Sequence, residues 1–381
     1  MPTPFVHLHV HSHYSLLDGL TKVKPLVKAA KERGFTALAL TDTAAMYGAI
    51  EFYTACKSNG LNPLIGFEAF IAPRRVSDND PALDKFSYTL TLIAENYEGY
   101  KNLLQLCSLA QTRGLLFGRP RLDKDILAEH GKGVIALSGD IRGEIPQLLA
   151  HGNEAGARAA ALRYREIFGS ENFYLELEDH PGISGQIEVN TKLIQLGKET
   201  GIPLVATRDV HYLNPADAEA QDILVCIREG WKVAETNRES FRQVDRSLNS
   251  GDDIASRFRH VPEAIANTIK IAERVNLELP LNTWHFAPVE LPDGKTADQV
   301  LREMAYSRVG DYYDPITDEV RTRLESELGI IEKKGYSPYF LCVSDYVNYA
   351  KRSGIVETTR GSAAGSVASY VIGITTVDPI R

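Results

Sequence analysis

Histidine and acidic residues follow the short apolar runs in the first 211 residues, and this pattern constrains the fold more than any other feature. His7, His9, His11 and His13 occupy every second position near the amino terminus. Side chains two apart in a β-strand point the same way, so a strand here would place His7, His9 and His11 on one face. A lone histidine in a strand is more often a polar surface residue than a ligand, but here the pattern repeats elsewhere.

The two-residue spacing recurs at Asp209 and His211, which follow the apolar run 204–207. Other carboxylates stand just beyond the histidine-rich segment or beyond further apolar runs, at Asp18, Asp42, Glu68 and Asp140. In barrels of alternating strands and helices, residues at the carboxyl ends of the strands meet at one face. Imidazole and carboxylate ligands suit Zn, Mn or Fe, and paired ions act on phosphate esters. The sequence therefore predicts a metal site for phosphoester chemistry.

The apolar runs alternate with segments that have helical periodicity. Strands are predicted at 5–10, 36–41, 63–72, 88–94, 133–138, 172–178 and 203–207. Helices are predicted at 23–31, 47–57, 97–112, 154–168, 186–199, 215–228 and 262–275. This order predicts parallel strands with helical crossovers, in a closed barrel or an open doubly wound sheet. The barrel is favoured because the ligand-type residues are spread over at least five strands and no dinucleotide-binding glycine motif follows a strand.

Composition narrows the class of protein. The chain has 381 residues, 44% hydrophobic and 24% charged, which is globular material long enough for two domains. Its net charge of −8 excludes a wholly basic DNA-binding domain, so contact with nucleic acid must be local or shared with parts outside this chain. No apolar run is long enough to cross a bilayer and residues 1–4 lack signal-peptide features, so we expect a cytoplasmic protein. The four cysteines are widely separated without a Cys-x-x-Cys, which argues against disulfides and a cysteine zinc site.

The sequence changes character after residue 278. Three prolines punctuate the stretch 279–295, which is typical of a linker, and helices are predicted at 296–312, 317–334 and 338–352. The region ends in small residues after Arg360, with Gly361 and Ser362 first. A helix beginning there could bind an anion through free backbone N–H groups, although small residues serve a close helix–helix contact equally well.

Several stretches resemble the amino-terminal part of the bacterial replicative DNA polymerase III alpha subunit. They are residues 7–12, 15–19, 39–42, 47–53, 206–213, 336–341 and 360–366, in the order of that family. The resemblance implies an α/β fold with three parts. A distorted β/α barrel of the polymerase and histidinol phosphatase (PHP) type would occupy 1–278, followed by a linker at 279–295. The smaller, mainly helical region at 296–381 would begin the polymerase palm.

The resemblance also implies a set of metal ligands in the PHP domain: His9, His11, Asp18, Glu68, Asp209 and His211. Three positions depart from the family pattern, since Thr43 and Thr89 stand where histidine is usual and Asp140 replaces cysteine or histidine. Threonine is a poor zinc ligand, whereas Asp140 could still bind. We therefore expect one or two ions, Zn or Mn, in a partly eroded site that supports 3′–5′ exonuclease activity or is structural.

In the second region, Arg360, Gly361 and Ser362 match a motif that approaches the triphosphate of the incoming nucleotide. Glu357 lies close before it, where the family usually has glycine or proline, and its charge disfavours a triphosphate. The family's catalytic aspartates, which hold Mg²⁺, lie beyond the equivalent of Arg381, so this chain alone is expected to be inactive in polymerisation. For the complete protein the resemblance implies DNA primer-template, dNTP, a proofreading exonuclease and a sliding clamp as partners, and no membrane.

Two other functions are compatible with parts of the sequence. One is a freestanding PHP-type metal-dependent phosphoesterase, and the other is a scaffold for replication proteins without catalysis. The motifs at 336–341 and 360–366 favour the polymerase family, because a simple phosphatase has no use for them.

Overall fold

The computed structural model describes residues 3–180, 182–235, 237–238, 240 and 242–381. The chain forms two compact units, unit 1 from Met1 to Leu279 and unit 2 from Pro280 to Arg381. No helix of the described residues combines the length and the apolar character needed to span a bilayer.

Unit 1 is built from a mixed sheet surrounded by helices. Its strands are β1 Ala37–Leu40, β2 Asn62–Ile71, β3 Tyr88–Ala94, β4 Leu115–Leu116, β5 Arg119–Leu122, β6 Val134–Leu137, β7 Phe173–Glu178 and β8 Leu204–Thr207. Its helices are α1 Val23–Glu32, α2 Ala49–Asn59, α3 Tyr97–Arg113, α4 Lys124–His130, α5 Glu144–Ala150, α6 Glu154–Phe168, α7 Gln186–Thr200, α8 Ala218–Glu229, α9 Gly251–Arg257 and α10 Pro262–Arg274.

Most predicted elements of unit 1 agree with the structure to within three residues at each end. The sequence did not predict α4, α5 and α9, each of seven residues, or the short strands β4 and β5. Seven residues make about two helical turns, which is too short for hydrophobic periodicity to be read reliably. The predicted helix 215–228 begins with a 3₁₀ turn at Pro215–Asp217 before α8.

The prediction of uniformly parallel strands was wrong at β3. This strand pairs antiparallel with both β2 and β6, whereas β1 with β2, β6 with β7 and β7 with β8 are parallel. The described segment between β2 and β3, residues 72–87, contains no helix. Antiparallel strands need no helical crossover, so the direct return of the chain reverses the strand.

The histidine-rich segment 7–11 closes the barrel. It is not a regular strand as predicted, and its one ladder contact is the parallel bridge between Val10 and Val210. Its carbonyls accept hydrogen bonds on one side from Ala39 N and Thr41 N, of 3.0 and 2.8 Å, and on the other side from Val210 N, of 3.0 Å. The segment therefore lies between β1 and the residues after β8. One ladder position is taken by a side chain, since Val10 N donates to Thr41 Oγ1 at 2.8 Å.

The core of unit 1 explains which way the closing segment faces. Val6, Leu8 and Val10 are fully buried in the main apolar cluster of the unit. Because side chains alternate along extended backbone, His9 must face the other way. Helices cover the outside of the barrel with apolar stripes, as in α1, where the buried residues recur every three or four positions.

The regular secondary structure described in unit 2 is helical. It contains α11 Ala297–Tyr312, α12 Asp318–Lys333, α13 Ser337–Arg352, a 3₁₀ helix at Gly361–Gly365 and α14 Val367–Val371. The first three helices agree with the predicted ranges to within one residue. They pack around a second apolar cluster that includes Leu301, Val309, Leu324 and Leu341. The predicted α/β fold class, a distorted barrel followed by a smaller helical region, is thus confirmed.

Candidate metal centre

Two pairs of predicted ligands converge at one end of the barrel. His9 and His11 come from the closing segment, and Asp209 and His211 follow β8. Asp209 Oδ1 lies 3.0 Å from His11 Nε2, 2.9 Å from His211 Nε2 and 3.7 Å from His9 Nε2. The four side chains are each at most 1% exposed. Two segments separated by some two hundred residues therefore share one buried site.

Several polar atoms of this group lack a hydrogen-bond partner among the described residues. They are Nε2 of His9, Nε2 of His11 and Oδ2 of Asp209, and the last two have only ion-pair contacts of 3.0 Å, with Asp209 Oδ1 and Arg246 Nη1 respectively. Buried polar atoms are rarely left unpaired in folded proteins. Ligand atoms of the same three residues lie within 4.8 Å of one another. Two imidazole nitrogens and a carboxylate oxygen form a donor set that suits Zn or Mn, so these residues fit a metal ion.

Asp209 adopts a strained backbone conformation. Its φ is 44°, in the left-handed region that non-glycine residues rarely occupy. Strain of this kind persists where the surrounding contacts fix the residue, and it is concentrated at functional sites. Here those contacts include Arg246, whose Nη1 lies 3.0 Å from Asp209 Oδ2.

The charged groups in the site shift one another's pKa values. Burial alone would lower the pKa of His9, but the carboxylates of Glu176 and Asp209 raise it well above the ordinary value. Burial alone would raise the pKa of Asp209, but the positive charges of His211 and Arg246 lower it well below the ordinary value. An ion bound here therefore competes with a proton on His9.

A second group was missed by the sequence analysis. Glu176 and Glu178 of β7 are both 2% exposed, and with His9 they form another set of close ligand atoms. Glu176 Oε1 lies 2.9 Å from His9 Nδ1 and accepts a hydrogen bond of 2.7 Å from Thr207 Oγ1. Burial raises the pKa of Glu178 well above its ordinary value. The signal was the same two-residue spacing of polar side chains, but it lies within a strand rather than just after one.

Glu68 and Asp140, two further predicted ligands, are paired with Arg142. Its Nη2 lies 3.1 Å from Glu68 Oε1, and its Nε lies 2.6 Å from Asp140 Oδ2. Two threonines complete this hydrogen-bond network. Thr43 Oγ1 donates to Glu68 at 3.2 Å, and Thr89 Oγ1 donates to Asp140 at 2.7 Å.

Two other acidic residues singled out in the sequence have separate surroundings. Asp18 pairs with Arg228 at 2.8 Å and lies 3.7 Å from His211 Nδ1, at the rim of the site. Asp42 accepts hydrogen bonds from Ser12 and Ser15 and so fixes the turn after the closing segment.

The prediction that His7 shares the metal-facing side was wrong. Its ring packs between Phe5 and Phe35, with centroid distances of 4.9 and 5.1 Å, and its Nε2 lies 2.9 Å from Asn249 O. Burial lowers the pKa of His7 to about 4, so it is a neutral core residue.

Arginines line two cavities that border Asp18, Glu68 and Asp140. A cavity of about 550 Å³ is lined by Asp18, Thr43, Glu68, Arg119, Arg142 and Arg228, among others. A second cavity of about 380 Å³ adds Asp140 and Arg246 to several of the same residues. Guanidinium groups bind phosphate oxygens well, so a phosphate-bearing ligand is compatible with these cavities.

The predicted phosphate site in unit 2 has a different local structure from that expected. Gly361 and Ser362 are exposed in a 3₁₀ helix, and the α-helix that follows, α14, has only five residues. The start of α14 is occupied by a carboxylate of the chain itself, because Glu327 Oε2 accepts from Ala368 N at 3.0 Å and from Ser366 Oγ at 2.8 Å. The assignment of Arg360, Gly361 and Ser362 to phosphate binding stays a prediction.

Comparison with known proteins gives matches to both units. The PHP domain family matches residues 7–180, which include His9 and His11 but end before Asp209, and the family described as bacterial DNA polymerase III alpha NTPase domain matches residues 299–381. The DNA polymerase III subunit alpha of Treponema pallidum is 38% identical over 99% of this chain. That of Aquifex aeolicus is 36% identical over 100% of this chain. The chain spans about a third of the length of these curated relatives, 32% and 34%.

Among solved structures, an amidohydrolase from Chromobacterium violaceum matches with a TM-score of 0.37 at 15% identity, covering 55% of this chain and 88% of that chain. A likeness at this score carries no argument about function.

Proposed function

Because the chain belongs to the family of bacterial DNA polymerase III alpha subunits, we propose that it serves template-directed DNA synthesis as part of a replicative polymerase. The observation that supports this is the similarity to those subunits over 99% of the chain, through both units. A freestanding phosphoesterase would leave the match at 299–381 without a purpose. DNA primer-template, dNTP, Mg²⁺, a proofreading exonuclease and a sliding clamp are the proposed cofactors and partners of the complete protein.

We further propose that unit 1 holds a Zn or Mn ion at His9, His11 and Asp209. The closeness of their ligand atoms and the buried Nε2 atoms of His9 and His11, which make no hydrogen bond, support this site. A bound ion supplies Lewis-acid chemistry toward a phosphate ester. Asp18 and His211, at one side of the site, and the Arg142-paired Glu68 and Asp140 complete its surroundings.

The supporting residues orient the proposed ligands. Glu176 engages Nδ1 of His9, which leaves Nε2 for the ion. Ser15 Oγ and Thr43 Oγ1 lie 3.0 and 3.2 Å from Nδ1 of His11 and leave its Nε2 in the same way. Partners of this kind fix the ring and its tautomer. The arginines that line the two cavities would hold the phosphates of a DNA end, which makes 3′–5′ exonuclease activity the proposed chemistry of the site.

Metal analysis of the purified chain tests the proposed ion. After equilibration with Zn²⁺ or Mn²⁺ and desalting, elemental analysis should find about one ion per chain. Asp209→Asn should lose it, whereas Asp293→Asn, a matched change at an exposed turn, should keep it. Ion-free wild-type protein would refute the metal site without touching the polymerase assignment.

Primer extension tests whether DNA synthesis requires the longer protein. Among the described residues, groups of three or more close ligand-type side chains occur only in unit 1. The 381-residue chain alone should therefore not extend a primer with Mg²⁺ and dNTP present, while a longer protein of the relatives' length should do so. Template-directed synthesis by the chain alone would contradict this.

A further inference from the structure

The side chains around the metal centre fall into two groups that differ in how their polar atoms are satisfied. His9 and His11 each have a buried Nε2 without a hydrogen bond, and with Asp209 they form a group of close ligand atoms. Each carboxylate oxygen of Glu68 and Asp140, in contrast, has a partner. Arg142 supplies most of them, through its backbone N–H, its Nε and its Nη2.

We propose that Arg142 is a built-in cation that takes the place of a metal ion at Glu68 and Asp140. Ion binding in unit 1 is then confined to His9, His11 and Asp209. This rests on the proposed metal site and adds to it the number of ions and the residue that sets that number.

Burial and charge support the proposal. Glu68 and Asp140 are 1% and 3% exposed, and two carboxylates at such depth need a nearby cation to stay ionised. The planar guanidinium reaches both, at 3.1 and 2.6 Å, and gives each of them a charge-assisted hydrogen bond. A metal ion at the same oxygens would have to displace a charge that is already in place.

Two threonines belong to the same network. Thr43 and Thr89 each donate a hydroxyl hydrogen bond to one of the two carboxylates. A threonine hydroxyl stabilises a carboxylate as a hydrogen-bond donor without a metal. Asp140 supplies the second negative charge that Arg142 pairs with. Glu68 and Asp140 are therefore satisfied by groups of the chain itself.

The position of Arg142 makes the proposal accessible to mutagenesis. Its side chain is 48% exposed, so its removal opens no cavity in the apolar core. Without it, Glu68 and Asp140 lose their cation but keep their hydroxyl donors. An added divalent ion can then take the position of the guanidinium.

The test is a count of bound Zn²⁺ or Mn²⁺ per chain by elemental analysis, with folding checked by circular dichroism. Arg142→Ala should hold one ion more than wild type. Arg142→Lys, which keeps the charge, should hold the same number as wild type. An unchanged count in Arg142→Ala, or an equal gain in both variants, would overturn the proposal.

A second variant, Glu68→Gln, tests whether Glu68 is a metal ligand even where Arg142→Ala does not fold. Glu68→Gln should leave the ion count of the wild-type background unchanged, because Glu68 is not a ligand there; loss of an ion would overturn the proposal. The wild-type count separately reports on the proposed function. If wild type holds none and Arg142→Ala holds one, the role of Arg142 stands and the ion at His9, His11 and Asp209 fails.

Discussion

The hydrogen bond from Thr207 to Glu176 allows the contribution of Glu176 to the positioning of His9 to be measured with one conservative substitution. Thr207 of β8 is fully buried and its hydroxyl donates to Glu176 Oε1 at 2.7 Å. Thr207→Val keeps nearly the same shape but removes this donor to a charged acceptor. A hydrogen bond to a charged group contributes about 1.5–3 kcal/mol, so we expect the free energy of unfolding to fall by that amount. Thr207 supports Glu176, the partner behind His9, rather than His9 itself, so metal binding should weaken by about 10-fold, the lower end of the range for loss of such a partner.

A matched control comes from Thr91 on β3. It is also fully buried, but its hydroxyl lies 3.4 Å from both Glu176 Oε2 and His9 Nδ1, at the limit of a hydrogen bond. Thr91→Val should therefore cost less than about 1 kcal/mol, the lower part of the range for a neutral hydrogen bond. Urea unfolding with a chelator present measures the stabilities, and competition with a chromophoric chelator measures the Zn²⁺ affinities. Equal losses in the two variants, or unchanged affinity in Thr207→Val, would show that Glu176 does not hold His9 in place through this contact.

Two further predictions concern stability. Leu8→Ala in the barrel-closing segment removes a fully buried side chain and should lower the free energy of unfolding by about 2–5 kcal/mol in a urea titration. A loss below about 1 kcal/mol would mean that this segment does not contribute to the core. The hydrogen bond from Arg238 lowers the pKa of Asp222 from 3.8 to about 2. The stabilisation from ionised Asp222 is therefore present above about pH 4 and is lost as the pH falls toward 2; after allowance for solvent screening it amounts to roughly 1 kcal/mol. Asp222→Asn should remove this part of the acid dependence of the free energy of unfolding.

The part of the site that sequence could predict depends on local periodicity and on one general rule of barrels. His9 with His11, and Asp209 with His211, each share a two-residue spacing that extended backbone converts into a common direction. That the two segments meet follows from the placement of functional residues at strand ends in barrels. Both arguments hold even though 7–11 is not a regular strand, because its backbone is extended and bonded on both sides.

The parts that could not be predicted depend on tertiary neighbours. His7 has the same spacing as His9, but its surroundings are the rings of Phe5 and Phe35, and Phe35 is distant in sequence. The antiparallel direction of β3 depends on the length and structure of a connecting loop that has no periodic signal. Arg142 lies in a turn, where neither spacing nor composition indicates that its guanidinium reaches Glu68, 74 residues away in the chain.

The charge balance of the site explains how a barrel end with so many carboxylates can fold. Asp18 pairs with Arg228, Glu68 and Asp140 pair with Arg142, and Asp209 pairs with Arg246. Of the three remaining acids, Glu176 faces a His9 whose pKa is raised well above its ordinary value, burial raises the pKa of Glu178, and Asp42 accepts hydrogen bonds from Ser12 and Ser15. Groups of the chain itself thus offset much of this negative charge, although Glu68 and Asp140 share the single charge of Arg142. In small zinc domains the metal supplies the folding energy, whereas in unit 1 cations of the chain already lie beside these carboxylates.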